Sequence, residues 1–81
     1  MNLKIKYSPD LCVLGNMYVY YVYDGNLYQD NDVNKVNALA YIYVKITSQN
    51  QQVIHIDIKD SRIQMNTVRK LAKENLLNIA I

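Results

Sequence analysis

The stretch Tyr41-Ile42-Tyr43-Val44-Lys45-Ile46-Thr47, interrupted by Ser48-Gln49-Asn50-Gln51-Gln52 and resumed as Val53-Ile54-His55-Ile56-Asp57-Ile58-Lys59, decides the fold. In each run aliphatic residues alternate with polar or aromatic ones, the period of a strand with two unlike faces. The break between them is turn chemistry. The pair reads as a β-hairpin. With Thr47 set opposite Val53, the residues Ile46, Val44 and Ile42 oppose Ile54, Ile56 and Ile58 on the core face. Lys45, Tyr43 and Tyr41 then oppose His55, Asp57 and Lys59 on the other.

Downstream the period changes. Val68, Leu71, Ala72, Leu76 and Ile79 fall at helical spacing, with Arg69, Lys70, Lys73 and Glu74 opposite them, which predicts an amphipathic helix that closes the chain. Ser61-x-x-Gln64 fits a capping box for its start, and Asn66 or Thr67 serves equally well for a shorter helix. Upstream, Leu3, Ile5 and Tyr7 alternate with Lys4 and Lys6, a strand over about residues 2 to 7 with one wet face. A turn at Ser8-Pro9-Asp10 follows. Met17-Tyr18-Val19-Tyr20-Tyr21-Val22-Tyr23 is a second strand. The Asp24-Gly25-Asn26 that follows it, before Leu27-Tyr28-Gln29, is a hairpin signal. Asp30-Asn31-Asp32 reads as a loop whose last Asp caps a short turn carrying Val33 and Val36. The expected architecture is α+β, in one domain over residues 1–81: a four- or five-stranded, mostly antiparallel sheet built from hairpins, with one C-terminal helix on one face.

Composition narrows the function. In an 81-residue chain, folding hides roughly 60–65% of the surface an unfolded chain exposes, enough for one small core. No apolar run approaches the ~20 residues a membrane span needs, and the start lacks a secretory signal pattern, so the expected location is cytoplasmic. Asn, Ile and Tyr make up a third of the residues, without Phe or Trp, a bias that AT-rich codons produce. Tyr is therefore the large aromatic of the core, and each buried ring needs a partner for its hydroxyl.

Chemistry-bearing motifs are sparse. The single cysteine, Cys12, forms no internal disulfide, and with His55 it falls far short of a zinc site. Cys12, His55 and Asp57 are the residue types of a thiolate nucleophile site, yet nothing in the sequence brings them together. Asp30-x-Asp32-x-Asn34 copies the opening of a calcium loop, but Lys35 replaces the needed Gly and Tyr41 the bidentate Glu. With only Gly15 and Gly25, no phosphate-cradling loop is present. The expectation is no enzyme, no metal and no cofactor.

Two binding surfaces remain. One helix covers one face of a sheet, which leaves a tyrosine-bearing face with Tyr20, Tyr21, Tyr41 and Tyr43 as candidate hot spots and Lys45 and Lys59 at the rim. A free strand edge is a second adhesive surface. Both point to docking on a larger protein or complex by steric occlusion, with a homodimer as the self-associating variant. A small adaptor or inhibitor from a phage or mobile element, directed at a host enzyme or a defence complex such as a CRISPR effector, has this profile. The alternative is nucleic-acid binding. Residues 1–40 carry a net −1 and residues 41–81 a net +3, and Arg62, Arg69, Lys70 and Lys73 supply basic groups along the expected helix.

Overall fold

Period-2 segments become strands and the period-3.6 segment becomes a helix. The computed structural model describes residues 1–8, 17–75 and 77–79, the last by its backbone. Its strands are β1 (Leu3–Tyr7), β2 (Met17–Asp24), β3 (Ala40–Ile46), β4 (Gln51–Ile58) and β5 (Asn78–Ile79), and its helix is α1 (Met65–Glu74). The sheet order is β1-β2-β3-β4-β5. Neighbours β1 to β4 are antiparallel, and β5 lies parallel to β4. The α+β expectation of hairpin strands under one helix holds. The Ser8-Pro9-Asp10 turn, Cys12 and Leu76 lie wholly or partly outside the described residues.

The principal core lies between sheet and helix. Val22, Ala40, Ile42, Val44, Val53 and Ile56 from the strands meet Val68 and Ala72 of α1, with Ile63 and Leu77 closing its ends. These are the even positions of β2 and β3, as alternation requires. The opposite face has its own smaller cluster, in which Tyr21 and Tyr23 pack under Val33 and Ala38 of the connection between β2 and β3, with Tyr41 alongside.

Four local readings are corrected. The β3–β4 hairpin is tighter than expected: Gln51 and Gln52 already belong to β4, opposite Ile46 and Lys45. Tyr41 then faces Asp57 and Tyr43 faces His55, while Val44 faces Val53, so Ile54 is an extra residue in a β-bulge. Thr47 makes the tight turn possible. Its N–H donates to the Asn50 carbonyl at 2.8 Å, and its Oγ accepts the Asn50 N–H at 3.1 Å. Second, Asp24-Gly25 does not return the chain as a two-residue hairpin. The N–H groups of Leu27 and Tyr28 both donate to the Asp24 carbonyl, coiling the chain away from the strand. Both sides of β2 are already taken by β1 and β3.

Third, Asp30–Asp32 is itself a short 3-10 turn. The capping group of the next turn is Asn34, whose Oδ1 accepts the N–H groups of Val36 and Asn37. Val33 is buried and Val36 is 86% exposed. Fourth, the helix does not close the chain. Asn75 caps it, its N–H and carboxamide both donating to the Leu71 carbonyl. The Leu77 N–H then turns back to the Ala72 carbonyl, and Asn78–Ile79 return to the sheet beside Gln52 and Val53. The ten residues of α1, at ~1.5 Å each, carry the chain back along β4 to reach that edge.

The N-cap of α1 is Gln64, with no side-chain bond, and no acidic residue lies in the first turn. Gln64→Asp is therefore expected to raise stability by about 1 kcal/mol by capping orphan N–H groups and countering the helix dipole. Ile42→Ala, in the fully buried centre of the main core, is expected to cost about 2–5 kcal/mol. Urea denaturation of both variants measures the pair of effects.

Candidate functional site

Alternation along β3 and β4 decides which side chains meet solvent on the face away from α1. Tyr41, Tyr43 and Lys45 of β3 and His55 and Asp57 of β4 share that face. Tyr43 and His55 are direct cross-strand neighbours with ring centroids 5.5 Å apart and planes at 47°. Tyr43 is half-buried, and His55 and Lys45 are exposed. Lys59, just past the end of β4, lies 5.0 Å over the Tyr41 ring and forms a 2.9 Å ion pair with Asp57. That carboxylate raises the Lys59 ammonium above its usual value. The Tyr41 hydroxyl donates to the Lys35 carbonyl, fastening the ring to the β2–β3 connection.

The other expected tyrosines separate. Tyr20 and Tyr21 are adjacent in an extended strand and point to opposite faces. Tyr21 is fully buried beneath the connection between β2 and β3 and offers no contact surface. Its hydroxyl finds no hydrogen-bond partner among the described residues, contrary to the expectation for a buried ring. Tyr20 lies on the helix side, where its hydroxyl donates to Gln51 Oε1 at 2.8 Å. Burial, then the neighbouring Tyr7 phenol, pushes its pKa up. Tyr7 stands beside it with ring centroids 6.0 Å apart, and Tyr18 lies 5.5 Å from Tyr7 in turn. With Ile46 and Gln51 these rings line a shallow hollow of about 290 Å³. The sequence pattern offers Tyr18 with Tyr20 as rings of one β2 face but gives no sign of Tyr7 as a candidate, although Tyr7 shares the alternation of Leu3 and Ile5.

The connection over Tyr21 is tied down from β1. Lys6 sits opposite Tyr21 and donates to the carbonyls of Asp30, at 2.6 Å, and Val33, at 3.2 Å. Tyr23 adds a long 3.4 Å bond to Asp30, and burial followed by that carboxylate raises the Tyr23 pKa. Asp24 anchors the other end. Its carboxylate accepts the N–H groups of Asn26 and Asn2, and the Asn26 bond chiefly holds its pKa below the usual carboxylate range.

The basic groups of the C-terminal half do not form one stripe. Arg62 precedes the helix and is held in the turn by Asp60, through bonds of 3.0 and 2.7 Å to the two carboxylate oxygens. Arg69 is half-buried, with a buried Nε that has no partner among the described residues. Lys70 and Lys73 are exposed on α1. His55 lies opposite Tyr43, and Lys45 faces Gln52 rather than His55. Cys12 falls outside the described residues. Among the described residues, no three His, Cys, Asp or Glu side chains come together to hold a metal ion. Among them too, no helix is long and apolar enough to cross a membrane. Comparison with protein-family models, curated proteins and solved structures returned no match.

Two measurements follow from this geometry. Lys6→Met is expected to speed amide exchange at Asp32, Val33 and Ala38, whose N–H bonds hold the connection, while leaving β3 and β4 protected. Asp60 titrates at about 2, chiefly because the Arg62 side chain bonds its carboxylate. A depressed folded pKa means that the stabilisation is complete above the ordinary carboxylate value and lost as pH falls toward 2. Arg62→Gln should move the Asp60 midpoint, followed by carboxyl NMR shifts, up toward 3.8. Arg62 is largely exposed and Asp60 partly so, and an ion pair open to solvent on one side adds little, so the change in stability should be small.

Proposed function

We propose that this protein is a small protein-interaction module that docks on a larger protein or complex through the sheet face away from α1. The observation that supports this is the Tyr43–His55 ring pair, 5.5 Å apart on that face. Tyr43 belongs to neither apolar cluster of the core. Around it lie Lys45 and the Lys59–Asp57 pair, giving an aromatic centre with a charged rim of both signs. Such a centre buries rigid area at little entropy cost, and its rim charges steer the encounter more than they hold the complex. The edge of Tyr41 extends the patch toward buried Tyr21, its neighbour on the next strand with ring centroids 5.6 Å apart.

Steric occlusion requires no catalytic group, and this reading assigns none. A compact, motif-poor domain of this kind suits a stoichiometric inhibitor working in the cytoplasm, of the sort phages and mobile elements direct at host enzymes or CRISPR-type defence complexes. Binding to nucleic acid is less well supported. Arg62 is committed to Asp60, and the Arg69 guanidinium is partly buried.

The test is capture of partners from cell lysate on the tagged protein, with and without nuclease, followed by mutants. Tyr43→Ala is expected to weaken binding of the captured protein by about 2 kcal/mol, roughly thirtyfold in Kd. Combined Arg69→Glu and Lys73→Glu should change it by less than about threefold. Retention that vanishes with nuclease and falls steeply with salt would give the function to nucleic acid instead. A mass that grows with concentration in the purified protein would give the face to a second copy.

A further inference from the structure

We infer that the outer edge of β1 and the groove between β1 and α1 take up an extended segment of the partner by strand addition, with apolar residues toward the helix and acidic residues toward Lys4. The inference rests on the protein-interaction reading and names the chemistry of the partner. Its first support is hydrogen-bond parity. The Gly25 N–H donates to the Asn2 carbonyl and the Ser8 N–H to the Val19 carbonyl, at 2.7 and 2.8 Å. Residues 2 and 8 therefore bond inward to β2, and with no register shift between them so do Lys4 and Lys6. The N–H and C=O groups of Leu3, Ile5 and Tyr7 point the other way, out of the edge of the sheet. A row of outward ladder groups is a template for another strand.

The second support is the shape beside that edge. Thr67, Lys70, Leu71 and Glu74, one side of α1 at spacings of three and four, face Met1 and Leu3 across an open groove of about 240 Å³. A strand added ~4.8 Å outside β1 sends alternate side chains toward the helix. The one opposite Leu3 meets an opening with apolar walls at Leu3, Leu71 and Met1, and with Lys70 and Glu74 at its rim. A residue of valine or leucine size suits it.

The third support is charge. Between Leu3 and Tyr7 the edge has neither a proline nor a bulge, and its guard is Lys4 and Lys6 on the face away from the helix. Lys6 is fixed there by the Asp30 and Val33 carbonyls, and Lys4 is exposed. Two copies of β1 paired about Ile5 would set Lys4 against Lys6 of the other copy, a like-charge opposition that weakens pairing. An acidic residue at the same place is attracted. The guard thus selects an acidic strand against a second copy.

The experiment titrates the full-length 15N-labelled protein with the peptide acetyl-Val-Glu-Val-Glu-Val-Glu-Val-amide. Its controls are the same peptide with Lys for Glu and one N-methylated at every amide. Expected are about tenfold slower exchange of the Leu3, Ile5 and Tyr7 amides and shifts at Thr67 and Leu71. The N-methylated peptide should not bind, and Lys4→Glu should weaken the acidic peptide about fivefold. Unchanged edge amides at saturating acidic peptide, or equal binding of the methylated peptide, would overturn the inference. So would edge amides already protected in a peptide-free dimer. Failure here with Tyr43-dependent capture intact removes strand addition alone, whereas nuclease-sensitive capture removes the protein-interaction reading beneath it.

Discussion

Adjacent residues of an extended strand must point to opposite faces, and in β2 those residues are Tyr20 and Tyr21. Both faces of the central sheet therefore carry large rings, and one helix covers only one face. The second cover is the connection between β2 and β3, whose Val33 and Ala38 seal Tyr21 and Tyr23. Lys6, Asp24 and Tyr41 each hold that cover by bonds to or from its backbone. An otherwise polar segment, with Asn and Asp at many of its positions, thus becomes part of the packed structure. Its own turns absorb those polar side chains, as Asn34 and Asn37 do by accepting each other's backbone N–H.

The strands and helix were legible because hydrophobic period is local. Leu3–Tyr7, Met17–Asp24 and the two arms of the hairpin stand where alternation puts them, and Val68, Leu71 and Ala72 lie on the inner side of α1. What was not legible depends on distant residues. The bulge at Ile54 is invisible to alternation, because Val53-Ile54-His55 reads the same whether or not Ile54 is matched. It nevertheless decides that His55 stands beside Tyr43. Leu76 and Ile79 continue the helical spacing on paper, yet the Asn75 cap ends the helix and the free side of β4 recruits Asn78 and Ile79.

The candidate site was legible in type more than in place. Tyr43, Tyr41, Lys45 and Lys59 lie together on one face, as alternation requires. Tyr21 shares that face and is lost to it, since nothing in Asp30–Ala38 announces that the segment folds back over β2. The helix side hid the reverse case. Tyr7 and Tyr18 stay open there, at 45% and 37% exposure, while Gln51 takes up the Tyr20 hydroxyl. The Asp60 fork on Arg62 was equally hidden, and it removes one cation from the basic end that composition suggested.

The placement of the remaining charge is one ground for proposing a protein partner over a polyanion. On the sheet face away from α1, Lys6 is tied to backbone carbonyls and Lys59 to Asp57. Lys4 and Lys45 stand at opposite corners, paired in register with Tyr23 and with Met17. A phosphate backbone needs cations spaced along a continuous track. Here Lys4 and Lys45, the lysines of this face not tied to a carboxylate or to backbone carbonyls, are divided by tyrosine rings and by the cover over Tyr21. Isolated cations beside apolar and aromatic groups match a surface that alternates acidic with apolar side chains. The edge of β1 at Lys4 has that pattern, whereas the rim around Tyr43 carries charge of both signs, with Lys45 beside the Lys59–Asp57 pair.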